Sequence, residues 1–133
     1  MSSFQPSPML RFALIADAVA SSASAALMLA GGSILEGLLG LPAALLREAG
    51  LILIPYVAFV GYLGTQARVS APAVWAVIGC NVAWVVGSAL LLVSGFVTPT
   101  ALGYAFMIAQ AAAVAIFAEL QYVGLRRAWQ AIT

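Results

Sequence analysis

Four stretches of about twenty or more mostly apolar residues, parted only by short breaks, constrain this chain more than any motif it carries. A peptide group placed in hydrocarbon has no water to bond, so a stretch of that length is tolerated there only as a helix that satisfies itself. The stretches run over residues 9–31, 42–64, 72–95 and 99–125. Punctuation marks the same limits. Pro42, Pro72 and Pro99 stand where a first helical turn tolerates a missing N–H, while Gly31-Gly32, Gly64 and Gly95 are natural stops. The sequence therefore predicts an all-α, integral membrane four-helix bundle forming a single transmembrane domain over residues 1–133.

Composition excludes the alternatives. Of 133 residues, 65% are hydrophobic and 7% charged, against roughly 25% charged in soluble domains. A small soluble domain keeps too much surface exposed to hide that many apolar side chains. All five basic residues are arginine and the net charge is +1, too weak a field to gather nucleic acid. There is no histidine, and Cys80 is the one cysteine. Imidazole haem ligation, His-type metal sites, Ser-His-Asp catalysis and an intramolecular disulfide are excluded together. Cys80, inside an apolar run beside Asn81, reads as a small packing residue. With no nucleophile–base pair, phosphate-cradling glycine loop or CxxC, neither an enzyme nor a cofactor is expected.

The first stretch imitates a signal peptide in Arg11 and in the small residues Ser21 to Ala26, but Asp17 interrupts it and it is read as a retained helix. Ser33 to Leu41, SILEGLLGL, is too short to span and too apolar for a solvated loop; it is expected at the membrane surface with Glu36 facing water. Arginine sets the orientation, since positive loops stay in the cytoplasm. Arg11, Arg68, Arg126 and Arg127 fall on one side and Arg47 on the other, so a bacterial inner-membrane protein with both termini cytoplasmic is expected. Trp75 and Trp129 suit that interface, whereas Trp84 lies too deep for a belt position and is assigned to packing between helices.

The first and third helices align in register, DAVASSASAALMLAG over NVAWVVGSALLLVSG, and each half continues through a proline, Pro42 or Pro99. A parallel repeat of two hairpins would follow, related by an axis along the membrane normal. Lipid offers no hydrophobic drive between helices, so the small faces, Ala16 to Ala26 and Ala109 to Ala115, are expected to hold the bundle together and to favour self-association. Phe59, Tyr62, Phe106 and Phe117 are left to face lipid or fill gaps, and Pro55 should kink the second helix.

Charges within a span are costly and usually turn inward. The candidate polar site is Asp17, Ser21, Ser24, Asn81, Ser88, Glu119 and Tyr122, with Arg11, Arg68 and Arg126 as candidate pairing partners. Asp17, Ser21 and Ser24 share a face by their spacing, as do Asn81 with Ser88 and Glu119 with Tyr122 and Arg126. In a functional arrangement Asp17 or Glu119 exchanges a proton or binds a cation in a cytoplasm-facing pocket. In the structural arrangement, which is preferred, Glu119 pairs with Arg126 or reaches the headgroups, and Asp17 is clamped by Arg11 or Asn81. Gln110, near mid-membrane, is expected to bond to another helix.

The four-helix plan, Gly40-Leu41-Pro42 leading into Leu45-Leu46-Arg47, and the closing Glu119-Leu120-Gln121-Tyr122 resemble small bacterial inner-membrane proteins of the DoxX-like group. That resemblance implies architecture and location and brings no chemistry with it. The lone acid of the first helix is similar to that of small multidrug resistance transporters, in which a carboxylate exchanges protons for cationic drugs; here it is Asp17 rather than glutamate. The expected function is a non-enzymatic accessory or assembly subunit, in lipid, within a homo-oligomer or larger membrane complex and without nucleic acid. The alternative is a proton-coupled small-solute or cation transporter using the intramembrane carboxylates. A lipid or quinone groove beside Pro55 has no sequence mark.

Overall fold

The computed structural model describes residues 3–131, with side chains through Ala128; the side chain of Trp129, assigned above to the interface, lies outside the described residues. Its elements are β1 (Ser3–Phe4), α1 (Pro8–Ala30), α2 (Gly32–Leu39), α3 (Ala43–Thr65), β2 (Val69–Ser70), α4 (Ala71–Ser94) and α5 (Ala101–Ala131). Four of the helices, α1, α3, α4 and α5, are long and apolar enough to cross a bilayer. The chain is a multi-pass, all-helical membrane bundle, as its apolar runs predict.

Local chemistry explains the helix ends. Ser7 caps α1 by accepting the Leu10 N–H at 3.1 Å, and Ser70 caps α4 by accepting the Ala73 N–H at 3.3 Å. Thr100 accepts the Gly103 N–H at 3.1 Å and donates its own hydroxyl to the Leu38 carbonyl at 2.7 Å, which ties the start of α5 to the end of α2. Pro72 lies in the first turn of α4, but Pro42 is the N-cap of α3 and Pro99 precedes α5 by two residues. Ring geometry suits those extended positions equally well. At the α2–α3 turn Gly40 has φ +68°, and a Cβ there would lie 2.8 Å from the Thr100 nitrogen. Of residues 33–41, those through Leu39 fall in the short helix α2, with Glu36 exposed, and Gly40 and Leu41 turn the chain toward α3.

The spanning helices form an arc in the order α3, α1, α5, α4. α1 packs on α3, α4 packs on α5, and α1 and α5 join the two hairpins. An exact two-fold repeat would also pack α3 on α4 along its length, but these two helices meet only sparsely, through the Tyr56–Asn81 hydrogen bond and the apolar cluster around Val60, Val74 and Val77. The hairpins are therefore present with the second interface much reduced, and a groove stands open between α3 and α4 beside Tyr56 and Asn81.

Two apolar clusters hold the ends of the arc. At the end carrying both chain termini, Phe4, Leu10, Leu14, Val60, Val74, Val77 and Leu125 close a dry core contributed by all four spans. At the other end Met28, Leu39, Leu41, Leu46, Val97 and Met107 pack together. α1 and α5 approach closely at the first of these: a Cβ on Gly124 would lie 2.8 Å from the Leu10 Cα, and the Ser7 hydroxyl donates to the Gly124 carbonyl. β1 and β2 pair antiparallel, Ser3 with Ser70 and Phe4 with Val69, a ladder that the apolar pattern does not predict.

Candidate functional site

Asp17 is 1% exposed, halfway along α1, and four side chains from the four spanning helices converge on it. Ser21 of α1 donates to Oδ1 at 3.0 Å. On Oδ2 converge the Tyr56 hydroxyl of α3 at 2.5 Å, the Asn81 amide of α4 at 3.0 Å and the Gln121 amide of α5 at 2.8 Å. The partners are linked to each other: Asn81 Nδ2 donates to Gln121 Oε1 at 2.9 Å, and the Tyr56 hydroxyl lies 2.7 Å from Asn81 Oδ1. Gln121 is fully buried and Asn81 is 4% exposed. Where hydrocarbon offers no competing water, such a cluster joins helices that small residues alone would hold only by contact.

Sequence reasoning placed Asp17, Ser21 and Asn81 at one site, and the structure brings those three together. The other candidates lie elsewhere. Glu119 is exposed, because Gln121, two residues on, points inward and a two-residue step turns the helix by about 200°. Tyr122 and Arg126 share the outward face of Glu119: the Arg126 guanidinium lies 5.8 Å from the Tyr122 ring centre, and Tyr122 meets Trp75 at 5.7 Å. The suggested pairings of Glu119 with Arg126 and of Asp17 with Arg11 are not made. Arg11 donates to the Gly64 carbonyl at 2.8 Å, covering a helix C-terminus. Arg68 does not reach toward the acids either; it holds the Ser3 carbonyl at 2.6 Å and the Ser3 hydroxyl at 3.1 Å.

Ser88 belongs to a second, smaller group. Gln110 of α5 donates to the Ser88 hydroxyl at 3.0 Å and accepts the Trp84 indole N–H at 2.6 Å, joining α5 to α4 as an isolated amide in lipid is expected to do. Trp84 thus packs between helices.

The seam between α3 and α4 is a cavity of about 680 Å³, within the size range of small-ligand sites. Ser24, Pro55, Phe59, Cys80, Trp84 and Phe117 are among its lining, with Ser21, Tyr56 and Asn81 from the polar cluster. Asp17 and Gln121 lie behind these three, outside the wall. α3 runs on through Pro55, which faces the cavity one residue before Tyr56. A second cavity of about 340 Å³ continues the groove past Ile52 and Gln110 toward Leu45 and Glu48. From Leu45 to Phe59 the groove follows fourteen residue steps of α3, about 21 Å at 1.5 Å per residue, about two thirds of the ~30 Å hydrocarbon thickness.

Tyr56 and Gln121 were not among the sequence candidates. Gln121 carries the clearer signal, since it falls in the inward series Ala118, Gln121, Leu125, Ala128 of α5. Comparison with family models, curated proteins and solved structures gives no match.

Proposed function

We propose that this protein is a non-enzymatic lipid-binding subunit of a bacterial inner membrane, holding one acyl chain of a zwitterionic phospholipid in the α3–α4 groove. The sparse packing of α3 on α4 carries the reading, because it leaves an apolar slot open sideways to the hydrocarbon. Glu48 is exposed in the lining at its mouth and supplies a negative charge that the ammonium group of a zwitterionic headgroup complements. The arginine distribution supports placing that mouth in the outer leaflet and both termini in the cytoplasm.

The test is photolabelling in vesicles by a phospholipid carrying a diazirine near the end of one chain. Label is expected to concentrate on residues of the groove, such as Phe59, Cys80 and Trp84, and to fall several-fold in Ala83→Trp, which fills the slot. Label spread evenly over all lipid-facing residues sinks the proposal.

An assembly role is the second reading, favoured by Gly79, Ala83 and Gly87 of α4, which follow at four-residue steps with open space at both glycines. Gently released protein that carries a partner chain rather than a lipid would favour it. A carrier exchanging protons between Asp17 and Glu119 has less support, since Glu119 is turned away and Asp17 is closed off from the groove.

A further inference from the structure

The hydrogen bonds around Asp17 can be counted, and they do not close with an ionised carboxylate. Six contacts join Asp17, Ser21, Tyr56, Asn81 and Gln121. With the carboxylate charged, the available hydrogens are one from Ser21, one from Tyr56, two from Asn81 and one of the two on Gln121. That is one too few, because the single Tyr56 proton faces both Asp17 Oδ2 at 2.5 Å and Asn81 Oδ1 at 2.7 Å. Turning either amide over makes the shortage worse. A reversed Asn81 would set its oxygen against Asp17 Oδ2, and a reversed Gln121 would do the same.

We propose that this cluster is a proton-binding site that holds one proton beyond those of its neutral partners, carried on Asp17 Oδ2 and donated to the Tyr56 oxygen. Tyr56 then donates to Asn81 Oδ1, Asn81 donates to Asp17 Oδ2 and Gln121 Oε1, and Gln121 donates to Asp17 Oδ2. Every contact has its hydrogen and no formal charge is left in the interior, which hydrocarbon penalises heavily. The groups facing Asp17 are Ser21 from its own helix, Tyr56 from α3, Asn81 from α4 and Gln121 from α5, and none is a cation. Of the arginines near this end, Arg11 is held on Gly64, Arg68 on Ser3 and Arg126 over the Tyr122 ring, and Arg126 and Arg127 are exposed on the outside of α5. The site stands whatever fills the groove, but Tyr56, Ser21 and Asn81 both hold the proton and line the cavity, so its loss would rearrange the groove wall.

Asp17 is the sole aspartate of the chain, so aspartate carrying ¹³C at its side-chain carboxyl labels this group alone. Infrared difference spectra of labelled against unlabelled protein in lipid vesicles at neutral pH are expected to show an isotope-shifted carbonyl stretch of a neutral carboxylic acid. The band should also move on exchange into D₂O-equilibrated membranes and be missing from Asp17→Asn. An isotope shift confined to the bands of an ionised carboxylate overturns the proposal. The wild-type measurement decides the matter even if a variant fails to fold.

Discussion

Gln121 and Glu119 are both long polar residues near the end of α5, yet one is sealed inside the bundle and the other is exposed. Charge drew sequence reasoning to Glu119; helical phase favoured Gln121. Gln121→Leu removes a bond to Asp17 and one to Asn81, and at the average of about 0.6 kcal/mol for such bonds in membranes it should cost about 1 kcal/mol. Glu119→Gln should lie within about 0.5 kcal/mol of wild type, as surface changes do. Unfolding by denaturing detergent in mixed micelles measures both, and equal costs would contradict the burial described. Glycines divide in the same way. A Cβ on Gly103 would stand 1.9 Å from the Leu39 carbonyl oxygen, whereas nothing lies within 4 Å of one on Gly87. Gly103→Ala is therefore expected to destabilise by about 1–3 kcal/mol, and Gly87→Ala to be neutral or stabilising by up to about 1 kcal/mol. The same unfolding assay separates them.

At the scale of elements, the spans were legible because each is a long apolar run that hydrocarbon forces into a helix. Which spans would touch was not legible. The hairpins α1–α3 and α4–α5 follow from short connections, but the choice of α1–α5 over α3–α4 as the join depends on side-chain shape, which apolar periodicity does not encode. Tyr56 was missed for the same reason: its value comes from Asp17 and Asn81 lying opposite it, on helices 39 and 25 residues away in sequence. Cross-linking tests the arrangement. A Cβ on Gly61 would lie 3.8 Å from the Ala18 Cβ, about the mean for a disulfide. In a Cys80→Ala background, Ala18→Cys with Gly61→Cys should oxidise readily to an α1–α3 bond. Ile52→Cys with Ala83→Cys, placed across the groove, should remain reduced under the same oxidant. Efficient bonding of that second pair would close the seam and remove the groove.

For the whole molecule, the decisive property is that the bundle is tight at one end and open along one side. The tight end gathers both chain termini: β1 pairs with β2, Arg68 grips Ser3, and Ser7 of the α1 cap bonds to Gly124 of α5. Four spans place those ends on one face of the membrane and α2 on the other, and the proposed orientation follows the arginine imbalance. Single cysteines at Ser3, Glu36 and Arg127 in a Cys80→Ala background read this out, since all three positions are exposed. In intact spheroplasts a membrane-impermeant maleimide is expected to modify Glu36→Cys alone, and Ser3→Cys and Arg127→Cys should react only after permeabilisation. Ser3→Cys and Arg127→Cys reacting from opposite sides would contradict an even number of spans. Both reacting before permeabilisation would keep the fold but invert it, moving Arg47 and Glu48, and with them the mouth of the lipid groove, to the inner leaflet.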